Sequence, residues 1–174
     1  DTAGDTFVYR DVQTVATDVK TVSFPVRLIP ERNYNFVVWA DIVDADKANV
    51  ENWYEADLYY NTAEGLDAIS IITEDWNAMD EARDAYTGHE IVTGYNSGKS
   101  INITLTRPFG KLRVVTTDIE DLKKLANNAL PKAVSVVYNT EVYSGFNALT
   151  QTATNPADAT FAYNLADVYD YDDY

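Results

Sequence analysis

The clearest alternation of apolar and polar positions runs from Thr21 to Leu28. Val22, Phe24, Val26 and Leu28 fall on one side, and Thr21, Ser23, Pro25 and Arg27 on the other. A period of two is that of a β-strand with one buried face. Pro25 has no N–H to give to a ladder, so this strand is expected at a sheet edge or at a bulge. Edges are also where further strands add. Ile29-Pro30-Glu31-Arg32-Asn33 reads as a turn. Tyr34 to Asp41 follows, with Tyr34, Phe36, Val38 and Ala40 on one face and Val37 and Trp39 on the other. Apolar residues on both faces predict a central strand.

Asp44 to Glu55 is polar and acidic, a loop or short helical turn around Trp53-Tyr54. Asp57 to Tyr60 and Ala68 to Thr73 are short strand candidates. Asn77 to Tyr86 has weak helical character, with Gly88 placed to stop it. His89 to Thr93 and Lys99 to Thr106 read as paired strands around a Tyr95-Asn96-Ser97-Gly98 turn. Ile101, Ile103 and Leu105 alternate with Asn102, Thr104 and Thr106, and alternation resumes at Leu112 and Val114 after Arg107-Pro108-Phe109-Gly110. This suggests one long strand that bends and passes between sheets.

The one well-marked helix follows Asp118, which can cap it, with Ile119, Leu122, Leu125 and Ala126 as its apolar stripe. Pro131 ends it. Ala133 to Tyr138 is again a strand, with Val134, Val136 and Tyr138 inward. Ser144-Gly145-Phe146-Asn147 reads as a turn, and Ala159 to Val168 as a last strand with Phe161, Tyr163 and Leu165 on one face. Many short strands, one short helix and frequent turns predict a mainly β chain, a β-sandwich with one short helix between strands. The length of 174 residues suits a single domain over 1–174.

Composition sharpens this picture. Apolar residues make up 46% of the chain, enough for a core. The 13 tyrosines suit half-buried pleated surfaces. The net charge of −15 repels phosphate backbones and anionic membranes, which argues against a nucleic-acid partner. No apolar run approaches the roughly 20 residues needed to cross a bilayer, so no transmembrane segment is expected. Asp1 opens directly on polar sequence, as in a cytosolic protein or a mature form whose leader is gone. The chain has no cysteine, which removes disulfides, thiolate ligands and cysteine nucleophiles together.

Catalytic chemistry is hard to assemble from these residues. His89 is the only histidine, and no serine sits in a Gly-x-Ser-x-Gly turn to join it in a triad. One histidine cannot build a zinc site. Carboxylates cluster at Asp41, Asp44 and Asp46, at Glu74, Asp75, Asp80, Glu81 and Asp84, and at Asp167, Asp170, Asp172 and Asp173. The first group lacks the glycine and terminal glutamate of an EF-hand loop and reads as a solvated acidic loop. A glycosidase pair needs two facing acids, which spacing along the chain does not reveal. No Gly-rich phosphate loop is present. The expectation is a protein that is not an enzyme, with no catalytic, cofactor-binding or metal-binding residues and no cofactor. Trp39, Trp53 and Trp76, with Tyr34, Tyr54, Tyr59 and Tyr60, are the residues that could stack on sugars. Trp39 is expected in the core, while Trp53 and Trp76 lie in polar segments.

Four runs resemble segments of the fimbrillin-like proteins of Bacteroidales, the type V pilus subunits. They are Asn35-Phe36-Val37-Val38-Trp39-Ala40-Asp41, Asp84-Ala85-Tyr86-Thr87-Gly88, Leu105-Thr106-Arg107-Pro108-Phe109-Gly110-Lys111-Leu112 and Tyr143-Ser144-Gly145-Phe146-Asn147. They occur in the family's order between roughly Val22 and Leu149. The resemblance implies a transthyretin-like or Greek-key β-sandwich, exported as a lipoprotein, trimmed by proteolysis and polymerised outside the cell. A strand from one subunit would fill a groove in the next. The implied partners are other fimbrial subunits, with a host protein or glycan as further possibilities. The implied location is the fimbrium at the cell surface, anchored at the outer membrane through a lipoprotein precursor.

Fimbrillin-like proteins usually carry a second sandwich, so 1–174 would be the N-terminal domain of a longer two-domain protein. The tail Tyr169 to Tyr174 is too acidic for a convincing donor strand, and Thr6 to Val15 is an alternative exchanged or covering strand. The leading expectation is a structural or adhesive fimbrial subunit. The alternative is a cell-surface glycan-binding module using exposed Trp and Tyr, and a hydrolase with a carboxylate pair is a third reading.

Overall fold

The computed structural model describes residues 9–48, 51–74, 80–112, 115, 117, 118, 121, 124, 133–158 and 160–164. Eight strands are found among them: β1 (Arg32–Asp41), β2 (Tyr60–Asn61), β3 (Ile69–Ile71), β4 (Ala85–Tyr95), β5 (Ala133–Val137), β6 (Val142–Asn147), β7 (Thr152–Ala157) and β8 (Thr160–Asn164). Short 3-10 helices occupy Trp53–Ala56 and Glu81–Arg83. The chain is therefore mainly β, and it is built as a sandwich.

Two compact units are present. One comprises Asp1–Phe109 and Ser144–Asn155, the other Gly110–Tyr143 and Pro156–Tyr174. The first unit carries two sheets. In one, β1 runs antiparallel to β4 with Trp39 opposite Thr87 and Asp41 opposite Ala85. The other has the order β2-β3-β6-β7. The second unit contains the antiparallel pair β5-β8, with Val136 opposite Phe161.

The core of the first unit lies between its sheets. Ile69, Phe146 and Tyr60 come from the four-stranded sheet, and Ala85 comes from β4. Val37 and Trp39 of β1 pack against them together with Phe109. The rings interlock: Trp39 meets Tyr60 edge-on at 5.4 Å between centroids, and Phe109 meets Phe146 edge-on at 6.1 Å. Apolar area removed from water and ring-edge contacts act together here.

Trp39, Phe109 and Phe146 come from three of the four sequence runs singled out above. The fourth run is joined to them by an ion pair between Arg107 and Asp84, with the Arg107 guanidinium over the Tyr86 ring. Distant stretches of sequence thus converge on one aromatic core.

Several expectations are corrected. Thr21 to Leu28 is not a strand. It forms no ladder among the described residues, because alternation supplies a face but not a partner. Within it Val26 and Leu28 are half-buried, while Val22 and Phe24 are exposed. β1 is found where expected, and β4 is its one paired neighbour among the described residues.

Tyr60 and Asn61 form β2, later than the expected Asp57 start. Of the region expected to be helical before Gly88, Asn77 to Met79 lie outside the described residues; among those described, the helical part is Glu81–Arg83, and Gly88 lies inside β4 instead of ending a helix. A Cβ at Gly88 would stand 2.8 Å from Ile103 Cγ2 and 2.9 Å from the Thr104 carbonyl oxygen, so close approach is the reason for glycine.

The expected strand Lys99 to Thr106 reduces to one bridge, Thr87 to Thr106, closed by backbone bonds of 2.8 and 2.9 Å. Ser144 to Asn147 is part of β6 and not a turn. A Cβ at Gly145 would meet Thr154 Oγ1 and Asn155 Nδ2 at 2.6 Å and the Ile69 carbonyl at 3.0 Å. β7 was not expected; it is polar, contains Pro156, and forms the outer edge of its sheet, where proline is tolerated. Tyr138, expected inward, is exposed just beyond β5.

The helix expected after Asp118 lies mostly outside the described residues. Asp121 and Lys124 are helical and paired at 3.0 Å. The continuation at Val114 and the tail Tyr169 to Tyr174 lie outside them too.

Candidate interaction surface

The segment from Tyr9 to Ile29 enters no ladder among the described residues. Beyond a turn at Thr17 and Asp18 it has neither helix nor bend. Along it Tyr9, Val15, Val19, Val22, Phe24 and Ile29 are exposed. Isolated surface apolar residues are ordinary, but a row of them on an unpaired segment leaves backbone and side chains both available.

Three contacts among the described residues hold parts of the segment. Arg10 lies over the Trp53 ring at 3.9 Å from its centroid. Burial lowers the Arg10 guanidinium from its usual range, and the charges of Asp67 and Asp57 oppose that. Gln13 Nε2 donates to the Ser23 carbonyl at 3.1 Å. At the far end the Tyr34 hydroxyl closes a reciprocal pair, accepting from Ile29 N at 2.8 Å and donating to Ile29 O at 2.9 Å. Of the alternative strand Thr6 to Val15, residues Tyr9 to Val15 are described, and they too are unpaired.

The aromatic candidates divide. Trp39 is in the core, as its strand position predicts, and Tyr34 and Tyr60 are buried. Trp53 is half-buried, with Arg10 on one face and Tyr54 against its edge at 5.5 Å. Tyr59 lies beneath Arg83, whose guanidinium is 4.7 Å from the ring centroid. Trp76 lies outside the described residues. Guanidinium groups thus lie over two of the rings that a sugar would need. A shallow depression of about 400 Å³ lies beside Tyr59, walled by Asp57, Leu58, Ile72, Glu74, Asp80 and Arg83.

Asp57, Glu74 and Asp80 line the depression beside Tyr59, and the other described carboxylates lie apart from it or are held by neighbours. Asp41 is mostly buried at the end of β1, and burial raises its carboxyl to about 6. Asp57 is also raised by burial, although it accepts from Thr62 N at 2.6 Å and Thr62 Oγ1 at 2.9 Å. Asp44 is tied to Lys47 at 3.2 Å, and the lysine holds its carboxyl below the usual range. Asp84 is held by Arg107. Asp75 and the acids from Asp167 onward lie outside the described residues. No group of three or more His, Asp or Glu side chains that could hold a metal gathers among the described residues. His89 is exposed on β4, opposite Val37. No described helix is long and apolar enough to cross a membrane.

Sequence reasoning missed the Arg10–Trp53 contact, because a single arginine in a polar run carries no signal of where it folds. It also missed the depression, whose walls come from separate stretches of the chain.

A family model described as a family of unknown function, DUF6562, matches residues 1–170. The chain belongs to the DUF6562 family. No curated protein matches this DUF6562 chain, and no solved structure does.

Proposed function

We propose that this DUF6562 protein is a structural or adhesive subunit of an extracellular fimbria, joined to its neighbours by β-strand exchange. The observation that carries the reading is the segment Thr21 to Leu28. It has the alternation of a strand, it has no ladder partner among the described residues, and Val22 and Phe24 are exposed on it. A strand pattern without a partner is a ready site for pairing with another chain. β1 adds support, because its ten residues have one paired neighbour among those described. The resemblance of four runs to fimbrillin-like proteins supplies the fimbrial setting, the lipoprotein precursor and the cell-surface location.

On this reading the protein is not an enzyme, and its partners are other fimbrial subunits. Glycan binding has less support, since Arg10 covers a face of Trp53 and Arg83 lies over Tyr59. Electron microscopy of the secreted, protease-matured protein tests the proposal. Filaments with a regular subunit repeat are expected; dispersed single particles under all maturation conditions would refute it.

A further inference from the structure

Trp53 opens the first 3-10 helix, and bonds within the fold fix its place without help from the segment before β1. Asp44 N donates to Ala56 O at 2.9 Å, and Val43 bridges Asp57, so the helix is tied to the chain that leaves β1. Asp57 ends the helix, and its N–H returns to Tyr54 O at 3.2 Å. The Asp57 carboxylate accepts in turn from Thr62 N and Thr62 Oγ1. From Thr62 the chain turns through Gly65, whose φ of +112° favours glycine. A Cβ there would stand 2.7 Å from Asp67 Oδ1, so the glycine also makes room for that carboxylate. Trp53, Asp57 and Asp67 thus belong to a frame closed by its own bonds.

Arg10 is seated on that frame from outside it. Its guanidinium lies 3.9 Å from the centroid of the Trp53 ring, and the charges of Asp67 and Asp57 favour its cationic form. A flat cation over a ring and beside carboxylates suits a guanidinium better than an ammonium. Between Arg10 and β1 the chain forms no ladder among the described residues. Fully extended, the stretch from Arg10 to the start of β1 would reach about 70 Å. The frame is therefore preformed, while its occupant sits on an arm long enough to reach another molecule. Copies of a chain with a net charge of −15 repel one another. A contact that sets an arginine against a ring and two carboxylates is of the kind that lets two such copies meet.

We propose that Trp53, Asp57 and Asp67 form a guanidinium-binding site, which Arg10 fills in its own chain and Arg10 of a second copy fills when the arm is exchanged. Exchange of an identical element re-creates the same contact between copies, so the two occupants compete and concentration decides between them. The inference goes beyond strand exchange at Thr21 to Leu28, because the site serves a dimer as well as a filament.

The test mixes two variants of the intact chain in an NMR titration. Isotope-labelled R10A keeps the frame and lacks the occupant, while unlabelled W53A keeps Arg10 and lacks the ring. As W53A is added to about 1 mM, the Trp53 indole N–H and the Gly65 amide of R10A should move toward their positions in the unmodified chain. A donor that carries R10A as well as W53A should bind about two- to fivefold more weakly, the loss expected for a partly exposed cation over a ring. The labelled unmodified chain, its site already filled, should respond less than labelled R10A. No movement in R10A, equal movement with the donor that lacks Arg10, or an equal response of the unmodified chain overturns the proposal. Should W53A fail to fold, a synthetic peptide spanning Tyr9 to Ala16 takes its place as donor. The same peptide carrying R10A is then the control, and the same outcomes decide.

Discussion

Phe109 lies flat on Tyr60, with ring centroids 5.4 Å apart and planes 8° from parallel. Trp39 and Phe146 both meet the same phenylalanine nearly edge-on. Phe109 therefore joins β1, β2 and β6 at one point, although it lies in no strand itself. F109A should destabilise the fold by about 2–4 kcal/mol, somewhat below a fully buried site because the ring is only partly buried. F109L should cost less. Urea unfolding followed by circular dichroism measures both, and a loss under about 0.5 kcal/mol for F109A would show that the stack is incidental.

Gly145 makes a second prediction about the core. Any Cβ there runs into β7 side chains and the Ile69 carbonyl. G145A should cost about 1–3 kcal/mol through overpacking. G98A, with open space around it, is the control and should be close to neutral. Equal thermal midpoints for the two variants would contradict the packing described for β6.

The pH dependence follows from Asp41. Its carboxyl rises from 3.8 to about 6 on folding, chiefly by burial. The native state then holds this proton more tightly than the unfolded state. The stabilising contribution is complete below about pH 4 and is lost as pH rises through about 6. The full swing is about 3 kcal/mol. Asp57 acts in the same direction, whereas the exposed Asp44, lowered by Lys47, acts in the opposite one. The difference in unfolding free energy between the unmodified chain and D41N isolates the effect. That difference should shift toward the unmodified chain as pH falls from 7 to 4.5, and a constant difference would contradict the burial of the charge.

Arg10 is the contact that ties the beginning of the described segment to the fold. R10A should cost only about 0.5–1 kcal/mol of stability, as for a partly exposed cation over a ring. Its larger effect should be on the segment. Trypsin cleavage at Lys20 and Arg27 under native conditions should quicken several-fold in R10A. Unchanged cleavage would mean that the stacked guanidinium does not restrain the segment.

What the sequence made legible was the local pattern. Two-residue alternation placed β1, and its two apolar faces put Trp39 in the core. The four runs that look familiar proved to be the pieces that meet there. Three of the misreadings concern partners. Thr21 to Leu28 has a strand's alternation, but nothing along the chain says whether a neighbour will supply a ladder. Ser144 to Asn147 has turn composition, yet Gly145 is glycine because Thr154 and Asn155 crowd it from β7. Thr152 to Ala157 is polar and contains proline, so it looks like a loop until its place at a sheet edge is known. The Asp41 environment was illegible for the same reason: Asp57 and Tyr60 are brought to it by folding.

The central claim is that Thr21 to Leu28 awaits a partner from another chain. Amide hydrogen exchange, followed by mass spectrometry on the isolated chain and on assembled material, tests it most directly. The amides from Thr21 to Leu28 should exchange within seconds in the isolated chain and become strongly protected in the assembly, while β4 stays protected in both. Protection already present in the isolated chain, or none gained on assembly, would contradict the account.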